Sequence, residues 1–191
     1  MSFTNLFANP IGIYNNTSHH LIEESLTDKF LNIKKENKSG GKDWLTSVYN
    51  SHNTYSPSED KDLKNLFEFI DGSITNYCDA YEFSNQIKSK LSWINIYNKG
   101  DYQELHDHAE SHLSCIYCVK GNIKSSRIFF KGSQNMFPIP VKRYNNINSG
   151  WYAFEFIPGT LYIFQSKLYH FVEKHELDSP RISLACNFVL S

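Results

Sequence analysis

The sequence predicts a mainly β fold, a double-stranded β-helix (jelly roll, cupin-like) with N-terminal helices packed against it. Three observations predict it. Apolar residues recur at helical spacing up to about residue 90 and alternate with period two after Leu91. Turn signals divide that second half into many short strands. Aromatic residues are abundant, with 14 Phe, 12 Tyr and 3 Trp in 191 residues, and strands favour such side chains.

Leu6 to Tyr14 reads as a short strand interrupted by Pro10. From Ser18 to Lys35 the residues Leu21, Ile22, Leu26, Phe30, Leu31 and Ile33 fall near one helical stripe. Residues 36–60 are rich in Gly, Ser, Asn and Asp and read as loop. Ser58 or Asp60 caps a second helix, with Leu63, Leu66, Phe67 and Ile70 on one face, expected to run to about Ile87. Strands follow near 92–98, 103–108, 113–119, 126–131, 153–157, 160–165, 169–174 and 181–189. Lys99-Gly100-Asp101, Lys120-Gly121-Asn122, Pro158-Gly159 and Asp178-Ser179-Pro180 mark turns between them. One domain is expected over 1–191: a helical buttress with its N-terminal strand over 1–90, and a jelly-roll core over 91–191.

Charge narrows the partners. Nineteen Lys and Arg balance 20 Asp and Glu, a net charge of −1. Neither nucleic acid nor a membrane is indicated by that balance. No stretch reaches the roughly 20 apolar residues of a transmembrane helix, and the N-terminus lacks a basic and then apolar leader. A cytoplasmic protein is expected, with Cys78, Cys115, Cys118 and Cys186 reduced. Cys115 and Cys118 form a C-x-x-C, but on a strand they face opposite ways and serve as small buried apolar residues.

The histidines carry the chemistry. In ELHDHAESHLSC, His106 and His108 are two apart and share one side of a strand, with Asp107 turned away. Two imidazoles hold a metal weakly, and His170 in SKLYHFVEKH is the candidate third ligand. His19, His20, His112 and His175 read as structural. In the last strand, RISLACNFV, the residues Arg181, Ser183, Ala185 and Asn187 share one face, while Ile182, Leu184, Cys186 and Phe188 share the apolar other. The polar face could look into a ligand cavity. An arginine there can pair bidentately with a carboxylate. A metal and an arginine on one inward face suit a 2-oxo diacid.

These residues resemble the 2-oxoglutarate/Fe(II) dioxygenase superfamily, whose pattern is H-x-D/E, a distant His, and an Arg about ten residues later. The closer resemblance is to a small family of such oxygenases found in marine bacteria and their phages. It rests on WINIYNKGDYQELHDHAESHLSCIYCVKG, on PGTLYIFQSKLYHFVEKHELDSPRISLACNFV and on the opening NLFANPIGIY. The resemblance implies an Fe(II) held by His106, His108 and His170. It implies 2-oxoglutarate with its distal carboxylate on Arg181 beside Ser183, and Asn95 and Tyr117 as weaker candidates for that pocket. Tyr117 shares a face with Leu113 and Cys115, so a core role is an equal alternative. The implied reaction hydroxylates a small-molecule or peptide substrate with release of succinate and CO2, in the cytoplasm (the host's, for a phage gene). His108 stands where the wider superfamily has a carboxylate, which leaves the metal more positive and also suits zinc. Residues 132–152 are a long aromatic insertion expected to shape substrate choice.

Three other readings stay open at this point. A three-His cupin-like metalloenzyme would not use 2-oxoglutarate or need Arg181. A zinc hydrolase would want a base near the metal, and the alternation places neither Asp107 nor Glu110 well. A jelly-roll binding module would carry its histidines incidentally. The oligomeric state stays open.

Overall fold

The eight strands expected after Leu91 all form. The computed structural model describes residues 8–38, 40, 44–132, 140, 142–145 and 148–191. In chain order its elements are β1 Gly12–Asn15, α1 Glu23–Glu36, β2 Tyr49–Asn50, α2 Lys64–Ala80, β3 Ile87–Tyr97, β4 Gln103–His106, β5 Leu113–Lys120, β6 Ile128–Lys131, β7 Trp151–Phe154, β8 Thr160–Gln165, β9 His170–Val172 and β10 Arg181–Leu190. A six-stranded sheet runs β1-β8-β5-β10-β3-β2, and a four-stranded sheet runs β4-β9-β6-β7. The pairs are antiparallel.

Alternation along β10 builds both faces of the large sheet. Ile182, Leu184, Cys186 and Phe188 enter a core shared with Leu26 and Phe30 of α1 and Leu66, Phe67, Ile70 and Ile74 of α2. Each fully buried aliphatic or phenyl group there contributes about 1.5–3 kcal/mol of transfer free energy. Ile116, Cys118, Ile128, Phe130, Phe156 and Phe164 form a second core between the sheets. Cys115 packs in the first core and Cys118 in the second, as alternation requires, and the four cysteines are free and buried.

Local chemistry sets the helix ends. Glu23 and Glu24 in the first turn of α1, and Lys34 and Lys35 in its last, complement the helix dipole. Asp60 accepts from the Asp62 N–H at the turn leading into α2, and Lys29 reaches both Asp60 and Asp62 at 2.8 Å. The C-terminus of α2 corrects the expected run to Ile87. The helix ends at Ala80, and Ile87 opens β3. The Phe83 N–H bonds the Cys78 carbonyl and the Glu82 N–H that of Asp79, with Glu82 at φ 55°. That is a Schellman cap. Glu82 fills the left-handed position where glycine usually sits, so nothing in the composition signals the stop.

The expected loop 36–60 supplies β2, whose Tyr49 and Asn50 pair with Ile96 and Asn95. The N-terminal strand is shorter than expected, and residues 1–7 lie outside the described residues. So do residues 133–139, 141, 146 and 147 of the 132–152 insertion, whose end opens β7. Among the described residues no helix is long and apolar enough to cross a membrane.

Candidate metal centre and anion pocket

The polar face of β10 lines a cavity of about 370 Å³ between the two sheets. Register sets its layout. Arg181 lies opposite Tyr97, Ser183 opposite Asn95, and Ala185 opposite Trp93 on β3. Across the cavity, β4 and β9 bring His106 and His170 together as a cross-strand pair. The β4 ladder ends at His106, and His108 lies just beyond it, its N–H held by the Ser166 carbonyl at 2.8 Å.

His106, His108 and His170 place one ligating nitrogen each within 4.8 Å of one another. Ring centroids are 4.2 Å apart for His106 and His170, 5.1 Å for His106 and His108, and 5.2 Å for His108 and His170. Two of the tautomers follow from geometry. His106 Nδ1 is 2.7 Å from the Glu104 carbonyl, and His170 Nδ1 is 2.9 Å from that of Leu168. A carbonyl only accepts, so each Nδ1 carries the proton and each Nε2 keeps a lone pair. Metal-ligating histidines are commonly oriented by this kind of bond. Burial pushes all three pKa values down, His108 to about 4, with the neighbouring imidazoles adding to the effect on His108 and His170. Three neutral imidazoles are therefore ready to donate.

Arg181 is fully buried. Its Nε donates to the Ser126 carbonyl at 3.1 Å and its Nη1 to Ser183 Oγ at 3.4 Å. Nη2 has no partner among the described residues. The guanidinium carbon sits 4.5 Å from the Tyr97 ring centroid and 4.1 Å from that of Phe156. Burial presses its pKa down, but an arginine remains charged in a protein. No carboxylate pairs with it among the described residues, and a buried unpaired charge costs several kcal/mol. Among the described residues the fold thus holds a buried cation without an anionic partner.

The other expected residues divide. Asn95 lines the cavity, and its Oδ1 accepts from Asn50 Nδ2 at 2.8 Å. Tyr117 does not belong to the pocket. It faces the helix-side core, where its hydroxyl meets His19 Nδ1 at 2.8 Å and Asn16 at 3.2 Å. This is the core role that its shared face with Leu113 and Cys115 allowed. Asp107, expected to turn away, borders the cavity. His19, His112 and His175 are bonded within the fold.

Asn187, on the face expected to look into a cavity, lines it, whereas sequence reasoning missed Trp44, His52, Trp93 and Gln103 on the same wall. Trp93 was findable, because it shares a strand face with Asn95. Trp44 and His52 come from a loop, where no periodicity points inward. The Trp44 ring packs edge-on to His106 at 4.8 Å, and the Trp93 ring to His108 at 5.6 Å.

A family model described as "Putative 2OG-Fe(II) oxygenase" matches residues 91–187, just over half of the chain. The chain belongs to that family. This 2OG-Fe(II) oxygenase uses Fe(II) as its metal and 2-oxoglutarate as its co-substrate. Its fold is that of solved relatives. A Pseudomonas putida prolyl-4-hydroxylase aligns at TM-score 0.68 and 10% identity over 96% of this chain and 94% of that one. A Trichoplax adhaerens prolyl hydroxylase, in complex with a hypoxia inducible factor oxygen degradation domain peptide fragment, aligns at TM-score 0.67 and 14% identity over 94% and 83%. HygX from Streptomyces hygroscopicus, with nickel and 2-oxoglutarate bound, aligns at TM-score 0.63 and 7% identity over 96% and 83%. A search of curated protein sequences finds no match.

Proposed function

We propose that His106, His108 and His170 hold the Fe(II) of this oxygenase, and that Arg181 with Ser183 takes the distal carboxylate of 2-oxoglutarate. The substrate, a small molecule or peptide, is hydroxylated at a C–H bond beyond the histidines. One observation carries this reading. A buried guanidinium with an unused N–H group opens into the same cavity as three neutral imidazoles whose donors converge. A metal site alone has no use for that buried cation, whereas a diacid chelated at one end needs it at the other. The Trichoplax enzyme solved with a peptide fragment supports keeping peptides among the substrate classes.

Bound Fe(II) supplies O2 activation coupled to oxidative decarboxylation of 2-oxoglutarate to succinate and CO2. The chain supplies position and dryness. The Glu104 and Leu168 carbonyls fix the His106 and His170 rings. Tyr97 and Phe156 hold the guanidinium plane between their rings, so its fork is preorganised for a carboxylate. Asn95 has its Oδ1 occupied by Asn50, which leaves its Nδ2 hydrogens for the co-substrate. Phe130 and Phe164 pack beside His170 and exclude water from that side.

The test is 2-oxoglutarate binding to the Fe(II)-loaded protein by anaerobic calorimetry, with succinate release as the turnover readout. Arg181→Lys replaces a planar fork with a point charge. It should weaken 2-oxoglutarate binding on the order of tenfold and leave Fe(II) affinity unchanged. If the loaded wild type does not bind 2-oxoglutarate, the assignment of these residues fails.

A further inference from the structure

The half of the cavity beyond the histidines has a charge pattern of its own. Among the described lining residues the charged side chains are Arg181 and Asp107. Arg181 lies at the co-substrate end. Asp107 sits between two of the three histidines and makes no hydrogen bond or ion pair with any described residue. The Trp93 ring lies edge-on to His108, the neighbour of Asp107, whereas Trp44 packs on His106 and against Tyr97 and Val172, towards the Arg181 side.

Asn187 adds a neutral donor. Its Oδ1 accepts from Ser114 Oγ at 2.8 Å, and Ser114 Oγ lies 2.8 Å from Ser166 Oγ. A hydroxyl donates one proton, so the chain runs Ser166 to Ser114 to Asn187 and fixes which way the amide faces. Asn187 Nδ2 is left with two N–H groups and no partner among the described residues, on a side chain that lines the cavity. This half therefore offers an anion, the Trp93 ring, and an amide with two N–H groups to donate.

Resting on the reading above, we propose that this half takes a cationic amino-acid residue of the lysine or arginine type. Its nitrogen cation lies toward Asp107 and the Trp93 ring, and a carbonyl oxygen on Asn187. Aromatic faces and a carboxylate both attract such a cation. Formal charges agree. The doubly positive metal and Arg181 against the dianion of 2-oxoglutarate leave one positive charge, and Asp107 cancels it. The loaded site is then neutral overall, so the choice of sign rests on Asp107, the charged side chain of this half, which attracts a cation and repels an anion.

The probes are the Nα-acetyl methylamides of lysine, arginine, norleucine and glutamate, added to Fe(II)- and 2-oxoglutarate-loaded protein. Binding is read anaerobically from tryptophan fluorescence, and turnover from succinate release. The lysine or arginine probe should bind about tenfold tighter than norleucine, with glutamate weakest. Asp107→Asn should erase that preference and leave 2-oxoglutarate affinity as it was. Equal binding of norleucine or glutamate, a preference that survives Asp107→Asn, or no binding of any probe to protein that binds 2-oxoglutarate would each overturn the proposal. Loss of 2-oxoglutarate binding in wild type would instead overturn the co-substrate assignment.

Discussion

The two ends of the cavity are built on opposite principles. The Arg181 end carries a permanent charge, fixed by two aromatic faces and set on the first rung of the longest ladder of the large sheet. The histidine end is neutral. It is set on two short strands with an irregular register, and one of its three side chains lies past the end of its strand. A fixed cation suits a ligand of constant shape, whereas looser neutral donors can close around an ion that arrives separately. Preorganisation is concentrated where the ligand brings charge, and adaptability where it brings coordination.

That contrast can be broken most forcefully at Arg181. Arg181→Met removes a buried charge and keeps most of the volume. It should weaken 2-oxoglutarate binding by on the order of a hundredfold, since two charge-assisted hydrogen bonds at about 1.5–3 kcal/mol each are lost. The same variant should unfold at an equal or higher temperature without ligands, because an unpaired buried charge costs more than a thioether. Calorimetry and a thermal melt of one preparation check both halves, and a much lower melting temperature would contradict the charge argument.

At the other end, His106→Ala or His170→Ala should abolish stoichiometric Fe(II) binding, and His108→Ala should weaken it sharply. Asp107→Ala should change it much less. Anaerobic titration of metal into each variant separates these cases. Strong loss at Asp107 with retention at His108 would exchange their roles.

Acidification should act on the histidine end alone. The three imidazoles are held neutral by burial, His108 down to about 4 from an ordinary 6.5. Below about pH 6.5 the unfolded chain takes up protons that the folded chain refuses, so folding is progressively disfavoured. Metal-free stability should be full above that pH and fall as the pH drops towards about 4. Melts across pH 7.5 to 4.5 should show the decline, and His108→Gln should flatten it.

The smallest effect is expected at the ring under the guanidinium. Phe156→Leu removes one of two cation–π contacts, worth about 0.5–2 kcal/mol. It should raise the 2-oxoglutarate dissociation constant by roughly two- to thirtyfold with Fe(II) affinity intact. An unchanged constant would mean that the ladder alone fixes Arg181.

Much of this was legible in the sequence because period-two patterning reports face as well as strand. Alternation along RISLACNFV separated the cavity floor from the helix-side core and placed Arg181 and Ser183 inward. His106 and His108 were read correctly as neighbours, although the strand ends between them and Asp107 is not sequestered. What escaped depends on contacts between distant segments. Trp44 reaches His106 from a loop without periodicity, and the stop of α2 rests on Glu82 in a left-handed conformation that its side chain does not advertise. Tyr117 was the opposite case, a tyrosine on the correct strand but the wrong face.

The order of strands has a consequence for how the molecule is made. Residues 181–190 lie between residues 87–97 and 113–120 in the large sheet. Until β10 arrives, β3 and β5 each present a row of unpaired peptide groups, the kind of edge that invites association with other chains. The cavity floor is carried on that same strand, so the site proposed for 2-oxoglutarate is complete only once β10 has joined the sheet. Sequence-distant pairings of this kind slow folding. Removal of residues 181–190 should therefore yield an aggregating chain rather than a weakened enzyme.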